Sequence, residues 1–329
     1  MKKQFLFRVL NNVGVSSLLR SQKRNVITVL SLHRISDESD YFWNPIRPES
    51  FEQLLQYLQQ HYTIICFRDI AEYLDQPIVD KPLLILSFDD GYYDFYEHAL
   101  PILLKHGIKA NHNIVNACAG DNQVIWTQRL NTLFSHCMKQ KVELSFSHER
   151  ESWKLADFQG NWMPFYQHSY RVFCRIPYTE RLSMIEEKEQ MFNISTKARM
   201  MNWEEVIHCA RQGIEIGSHT YHHDVLSTIT DRDILINEIV RSKTELESRI
   251  GMPVTVLALP NGQAHADIDE IAALAGFSHI LYVGEKVNEM EKYQVAGPVH
   301  SFRINLVEES LPEMILRTEM FHAKLKRHA

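Results

Sequence analysis

Leu83-Leu84-Ile85-Leu86-Ser87-Phe88 is an apolar run of strand length, and it ends abruptly in two carboxylates and a glycine, Asp89-Asp90-Gly91. A short β-rich run closed by a turn residue reads as a buried strand. Adjacent side chains at a strand end point in different directions, so Asp89 and Asp90 border one pocket without doing the same job. Two like charges this close require a proton or a cation to neutralise one of them. A solvated Asp-Asp-Gly turn would use the same residues. A second stretch shifts the balance. Ile214-Glu215-Ile216-Gly217-Ser218 is another strand-like run, and it ends in His219-Thr220-Tyr221-His222-His223. His219 and His223 stand four apart, and on a helical turn or a tight loop that spacing lets two imidazoles converge on one metal ion. Two neutral imidazoles and one carboxylate leave coordination positions open, as catalytic metal sites do.

Ser87-Phe88-Asp89-Asp90-Gly91 resembles the (T/S)FDDG motif of the polysaccharide deacetylases, the NodB-homology group of carbohydrate esterase family four. His219-Thr220-Tyr221-His222-His223 resembles that family's H(S/T)xxH motif. Ala258-Leu259-Pro260-Asn261-Gly262 is similar to a later proline-glycine loop in its exopolysaccharide-biosynthesis branch. The motifs come in the family's order, and the resemblance runs from about Val26 to Asn305 apart from a middle insertion.

The rest of the chain suits that resemblance. At 329 residues it holds ample core for one large α/β unit or two smaller ones. The net charge of −6 leaves no electrostatic footprint for nucleic acid. Five scattered cysteines without a CxxC pair argue against a disulfide framework and for a reducing compartment. Residues 1–24 form a basic amphipathic segment, read as a helix packed on the outside of the barrel, with peripheral contact to an anionic membrane as the other reading. Arg8 interrupts any signal-peptide core, so a cytoplasmic location is expected, with association to the membrane surface as its variant. Residues 25–329 then alternate strand and helix, with an insertion at about 120–197. Its aromatics, Trp153, Trp162, Tyr166 and Tyr170 among them, read as a small satellite core, with stacking on sugar rings as the alternative. The basic tail from Lys324 to His328 reads as solvated. Polar motifs at strand C-termini suit a barrel with its site at that face, and the resemblance implies a distorted, incomplete (β/α) barrel of about seven parallel strands with a largely helical insertion.

The resemblance also implies roles. Asp90, His219 and His223 would hold a divalent metal ion, most simply zinc. Asp89 would act as the base for the attacking water. The backbone N–H of Asn261 would face the oxyanion, with Pro260 and Gly262 of the same loop as candidate substrate-binding residues. The reaction implied is removal of an N-acetyl group from an acetamido sugar of a polysaccharide or its precursor, whether polymer, lipid-linked or nucleotide-linked. The alternatives are a degenerate sugar- or metal-binding relative and an amidohydrolase acting on another amide, such as a formamido sugar. The chain departs from the family pattern in several places, among them the absence of its tryptophan-bearing fourth motif. The arginine often found two residues before the third-motif proline is replaced by Ala258, for which Arg303 is the candidate substitute, with surface pairing as its other reading. The late Leu-x-His that supplies a general acid has no match; His300 is nearest in sequence, with His33 or His112 as stand-ins. His33, at the end of the first core strand, and His112 with Asn113, polar in a segment that is apolar in the family, are also candidates to line the substrate pocket; a backbone-bonded strand-end histidine and an edge position are the other readings.

Overall fold

The computed structural model describes residues 2–74, 80–121, 123–196, 198–294 and 297–321; the tail from Lys324 to His328 lies outside them. The strands in chain order are β1 (Ile27–Leu32), β2 (Thr63–Ile64), β3 (Leu83–Phe88), β4 (Asn111–Ile114), β5 (Ser145–His148), β6 (Glu151–Lys154), β7 (Glu215–Ser218), β8 (Val256–Ala258), β9 (His279–Val283) and β10 (Val299–Asn305). Parallel pairings run β1–β3–β4–β7–β8–β9–β10 and back to β1, closing a barrel of seven strands. β2 adds two residues against the start of β3, at Thr63↔Leu83 and Ile64↔Leu84, while β4 pairs only with its end, at Ser87↔Asn111 and Phe88↔His112. The wall beside β3 is therefore shared between two short strands, which is the barrel's main irregularity.

Strand alternation sorts the side chains. Ile27, Val29, Leu83, Ile85, Val256, Ala258, Leu281 and Val299 fill the base of the barrel. Leu30, Leu32, Leu84, Leu86 and Phe88 face outward into the helical layer. Each such buried aliphatic or aromatic side chain contributes roughly 1.5–3 kcal/mol, so the register is fixed by many residues at once. The helix Pro48–His61 supplies Phe51, Leu54, Leu55 and Leu58 to that layer. Toward the C-terminal end the interior turns polar, with Ser87, Asn111, Asn113 and Arg303 joined by hydrogen bonds.

The insertion folds as helices Trp126–Gln140, Trp162–Phe173 and Tyr178–Met191 plus the antiparallel hairpin β5–β6. It has its own core, in which Phe134, Phe146, Trp153, Phe165 and Phe173 pack together. Arg181, fully buried, ties it to the barrel: its guanidinium donates to the carbonyls of Phe173 and Ile176 and to Asp224, directly after the histidine motif. The N-terminal helices Lys2–Asn12 and Val15–Arg20 bury Phe7 and anchor Arg20 to Tyr57 and Glu319, while Phe5, Val13 and Leu18 are exposed. Among the described residues no helix is long and apolar enough to cross a membrane.

Candidate active site

The two carboxylates are separated by the backbone. Asp89 continues β3 by donating its N–H to the Leu32 carbonyl at 3.0 Å. Asp90 and Gly91 then take left-handed φ of 77° and 84°, so the chain turns sharply between the two side chains. A left-handed aspartate costs about 1–2 kcal/mol, and such cost is tolerated where the surroundings fix the conformation. Asp89 consequently faces the barrel interior, while Asp90 swings toward the loop after β7. In that loop His219 donates its N–H to the Ile114 carbonyl, and Thr220 and His223 both have positive φ, 66° and 60°. The histidine pair therefore sits on a tight loop, not a helical turn.

Asp90 Oδ1 lies 3.3 Å from His219 Nε2 and 3.4 Å from His223 Nε2. The three groups offer ligand atoms all within 4.8 Å of one another, and all three are buried. His219 donates Nδ1–H to the Ala258 carbonyl at 2.9 Å, which leaves its Nε2 lone pair pointing at the cluster. Asp90 Oδ1 takes no hydrogen bond from any other group. Burial alone would push Asp90 up, but the two imidazoles outweigh it and hold its carboxyl well below the usual range. A buried carboxylate facing two imidazole nitrogens, one with its tautomer fixed by a carbonyl, is a donor set that fits a divalent cation.

Asp89 is engaged on one oxygen and open on the other. Its Oδ1 accepts from Arg303 Nη1 at 2.6 Å and from Asn113 Nδ2 at 2.8 Å. Its Oδ2 lies 4.0 Å from both His33 Nε2 and His219 Nε2. Burial pushes the Asp89 carboxyl up, yet the Arg303 guanidinium more than offsets this and holds it at about 2. Arg303 comes from β10, so the cation that the family places before the third motif here reaches Asp89 from another strand.

A cavity of about 470 Å³ opens onto these groups. The barrel lines it with His33, Asp89, Asp90, His219 and His223, the loop after β8 with Asn261 and Gln263, and the segment after β1 with Trp43. The insertion contributes Gln128, Asn131, Tyr166, Tyr170, Arg171 and Arg175. Tyr170 also donates its hydroxyl to Asn261 Oδ1, joining the insertion to the third-motif loop. Tyr166 and Tyr170 thus serve the satellite core on one side and the cavity on the other. Trp153 and Trp162 belong to that core. Of the polar pair His112 and Asn113 on β4, Asn113 is the one that faces inward, where it donates to Asp89.

Four candidates lie elsewhere. His112 is fully buried on the outer face of β4, against the rings of Phe88 and Phe95. Burial lowers its pKa to about 3, so it is a neutral packing residue and not a pocket residue. His300 sits on the outer face of β10, its ring tilted against Tyr282 and bonded to Asp269 at 2.6 Å; its parity in the strand is opposite to that of Arg303. Pro260 and Gly262 do not line the cavity. Gly262 has a φ of +66°, and a Cβ there would come within 2.9 Å of Val283. Both shape the loop that presents Asn261, whose own φ is 56°.

Comparison with known proteins agrees with these features. The family model described as polysaccharide deacetylase matches residues 182–280, which include the histidine motif and the third-motif loop. A putative polysaccharide deacetylase of Bacillus subtilis, YxkH, is 24% identical over 125 residues. That match covers 37% of this chain and 43% of the relative, so it spans less than half of the relative's length. In fold, the chain is similar to the Streptococcus pyogenes deacetylase PplD, solved in complex with acetate (TM-score 0.59, 18% identity, 90% of this chain and 99% of that one). It is similar also to IcaB from Ammonifex degensii (TM-score 0.58, 19% identity, 90% of this chain and 97% of that one). The resemblance to the polysaccharide deacetylases, drawn from short motifs, therefore holds in sequence over residues 182–280 and in fold over most of the chain.

Proposed function

We propose that this chain, a relative of the polysaccharide deacetylases in motif and fold, is a metal-dependent hydrolase that removes an N-acetyl group from an acetamido sugar. The observation that carries the reading is the convergence of Asp90, His219 and His223 beside an arginine-paired Asp89 in one cavity. A divalent cation held by Asp90, His219 and His223, most simply zinc, would polarise the amide carbonyl and lower the pKa of water from ~15.7 toward ~7.

The chain's own residues do the rest. Asp89 is ionised throughout the physiological range, and its Oδ2 is the oxygen left open to take the proton of the attacking water. Arg303 and Asn113 fix the carboxylate's orientation through Oδ1; a base so positioned is worth roughly 10²–10⁴ in rate. The backbone N–H of Asn261 is the donor for the developing oxyanion. Among the described residues, His33 is the one cavity-lining histidine outside the ligand set. Its Nε2 lies 4.0 Å from Asp89 Oδ2, and burial holds its pKa below the ordinary value, so it relays to the departing amine the proton that Asp89 takes from the water, the role that neither His112 nor His300 is placed to fill. Trp43, Tyr166 and Tyr170 offer ring faces for the sugar. The substrate is a cytoplasmic precursor of a surface polysaccharide. Peripheral membrane contact fits the exposed Phe5, Leu6, Val13 and Leu18, which flank Arg8 on the N-terminal helices.

The test is product analysis on acetamido and formamido sugars with the metal-loaded protein. Acetate release that stops in Asp89→Asn supports the reading. Formate release would move it to a deformylase on the same scaffold, and release of neither would leave a binding relative.

A further inference from the structure

Arg171 and Arg175 stand out among the cavity's lining residues. Both are exposed, and both belong to the end of the helix Trp162–Phe173 and the turn that continues it, where Arg175 donates its N–H to the Val172 carbonyl. Residues four apart at a helix end are neighbours, and like charges there oppose one another. A helix C-terminus favours a cation in its last turn, which accounts for Arg171 but not for a second guanidinium facing the same cavity. Neither arginine makes an ion pair or side-chain hydrogen bond among the described residues. Arg175 also borders a groove that contains Glu149 and Glu151 and pairs with neither. The carboxylates that line the cavity are Asp89 and Asp90, and these are already engaged by Arg303 and by the two histidines. The outer wall of the cavity thus carries two cations without a direct ion pair among the described residues, on a chain whose net charge is −6.

A guanidinium presents a planar fork of donors that matches phosphate oxygens. Two of them lining one cavity from positions four apart suit two linked phosphates better than one carboxylate. The cavity, at about 470 Å³, is of the size that encloses a small ligand rather than a polymer segment. Resting on the deacetylase reading, we infer that the substrate is an acetamido sugar carried on a diphosphate. Arg171 and Arg175 hold the diphosphate at the cavity mouth while the N-acetyl group lies at the Asp90–His219–His223 cluster. The carrier is a nucleotide or a polyprenyl chain, which share this chemistry.

The test compares wild type with Arg171→Gln/Arg175→Gln, both loaded with the same metal. Each is titrated calorimetrically with UDP-N-acetylglucosamine, with farnesyl-diphospho-N-acetylglucosamine, with neutral chitotriose and with a glucuronate-containing N-acetylglucosamine disaccharide. Acetate release is followed in parallel. Wild type is expected to bind one of the diphosphate sugars about tenfold or more tighter than chitotriose. The double variant should lose that preference while binding chitotriose within about twofold of wild type. Which diphosphate sugar is preferred identifies the carrier. Equal binding of the diphosphate sugars by both proteins, or a wild-type preference for chitotriose or for the glucuronate, would overturn the assignment. Arginine-dependent binding without acetate release would reject the deacetylase reading and keep the arginine site. Acetate release that is indifferent to the two arginines would do the reverse.

Discussion

Arg303→Met is the most informative single substitution away from the metal ligands. The carboxyl of Asp89 sits at about 2 against an ordinary 3.8, a preference for the charged form of roughly 2 kcal/mol. That is a net figure, since burial alone works in the opposite direction. Removing the guanidinium removes the favourable part and leaves the burial cost, so the loss is larger, about 3–5 kcal/mol for one partner of a buried ion pair. The linkage has a definite sign. A depressed carboxyl contributes stability that is present above its unfolded pKa and is lost as pH falls through its folded value. Urea unfolding at pH 7.5 therefore reads the whole effect, and at pH 3 it reads only part of it. The expected result is a lower midpoint with an unchanged slope. Asp89→Asn/Arg303→Met should recover most of the stability while remaining inactive, because both charges are then gone. The reasoning would be refuted by an Arg303→Met protein within about 1 kcal/mol of wild type, or by a double variant whose loss is the sum of the single losses.

Three further outcomes are expected. His33→Ala should lower kcat by roughly 10²–10⁴ while the metal content stays at the wild-type level; a loss of metal in step with activity would make His33 a ligand and not a proton donor. His112→Phe should keep activity and sugar preference, with a thermal midpoint that reports less than about 1.5 kcal/mol of change, because the ring is neutral and packed against Phe88 and Phe95. A change of substrate preference in that variant would restore His112 to the pocket. Gly262→Ala should destabilise by about 1–3 kcal/mol, since it combines a left-handed φ with a contact of 2.9 Å to Val283; a melt coincident with wild type would show that the loop relaxes freely.

Much of this site is legible in the sequence because its parts lie at the ends of recognisable strands. The runs that close on Asp89-Asp90 and on His219 can be read as strands from apolar content and turn residues alone, and parallel pairing then brings their C-termini together. Facing is harder to read. Ala110-Asn111-His112-Asn113 carries polar residues on both parities, and only the pairing Ser87↔Asn111 and Phe88↔His112 decides which points inward. Once Asp89 is taken as inward, Ser87 shares its face, and Asn111 and Asn113 follow by register. The same rule separates His300 from Arg303, which are three apart on β10 and cannot both face the interior. The insertion shows a different limit. Its aromatics have helical spacing and do form a core, but spacing does not reveal that the helix Trp162–Phe173 turns Tyr166 and Tyr170 toward the cavity as well. Arg181, whose bonds to Asp224 and to two carbonyls set that orientation, carries no sequence signature of its role.

Metal content tests the central claim most directly, and it needs no substrate. Purified wild type, His219→Ala and Asp90→Ala would be compared by elemental analysis after exposure to zinc and removal of the excess. The account predicts about one ion per chain in wild type and its loss in both variants. A wild-type protein that neither carries nor takes up a divalent ion, or variants that retain it in full, would contradict the site built from Asp90, His219 and His223.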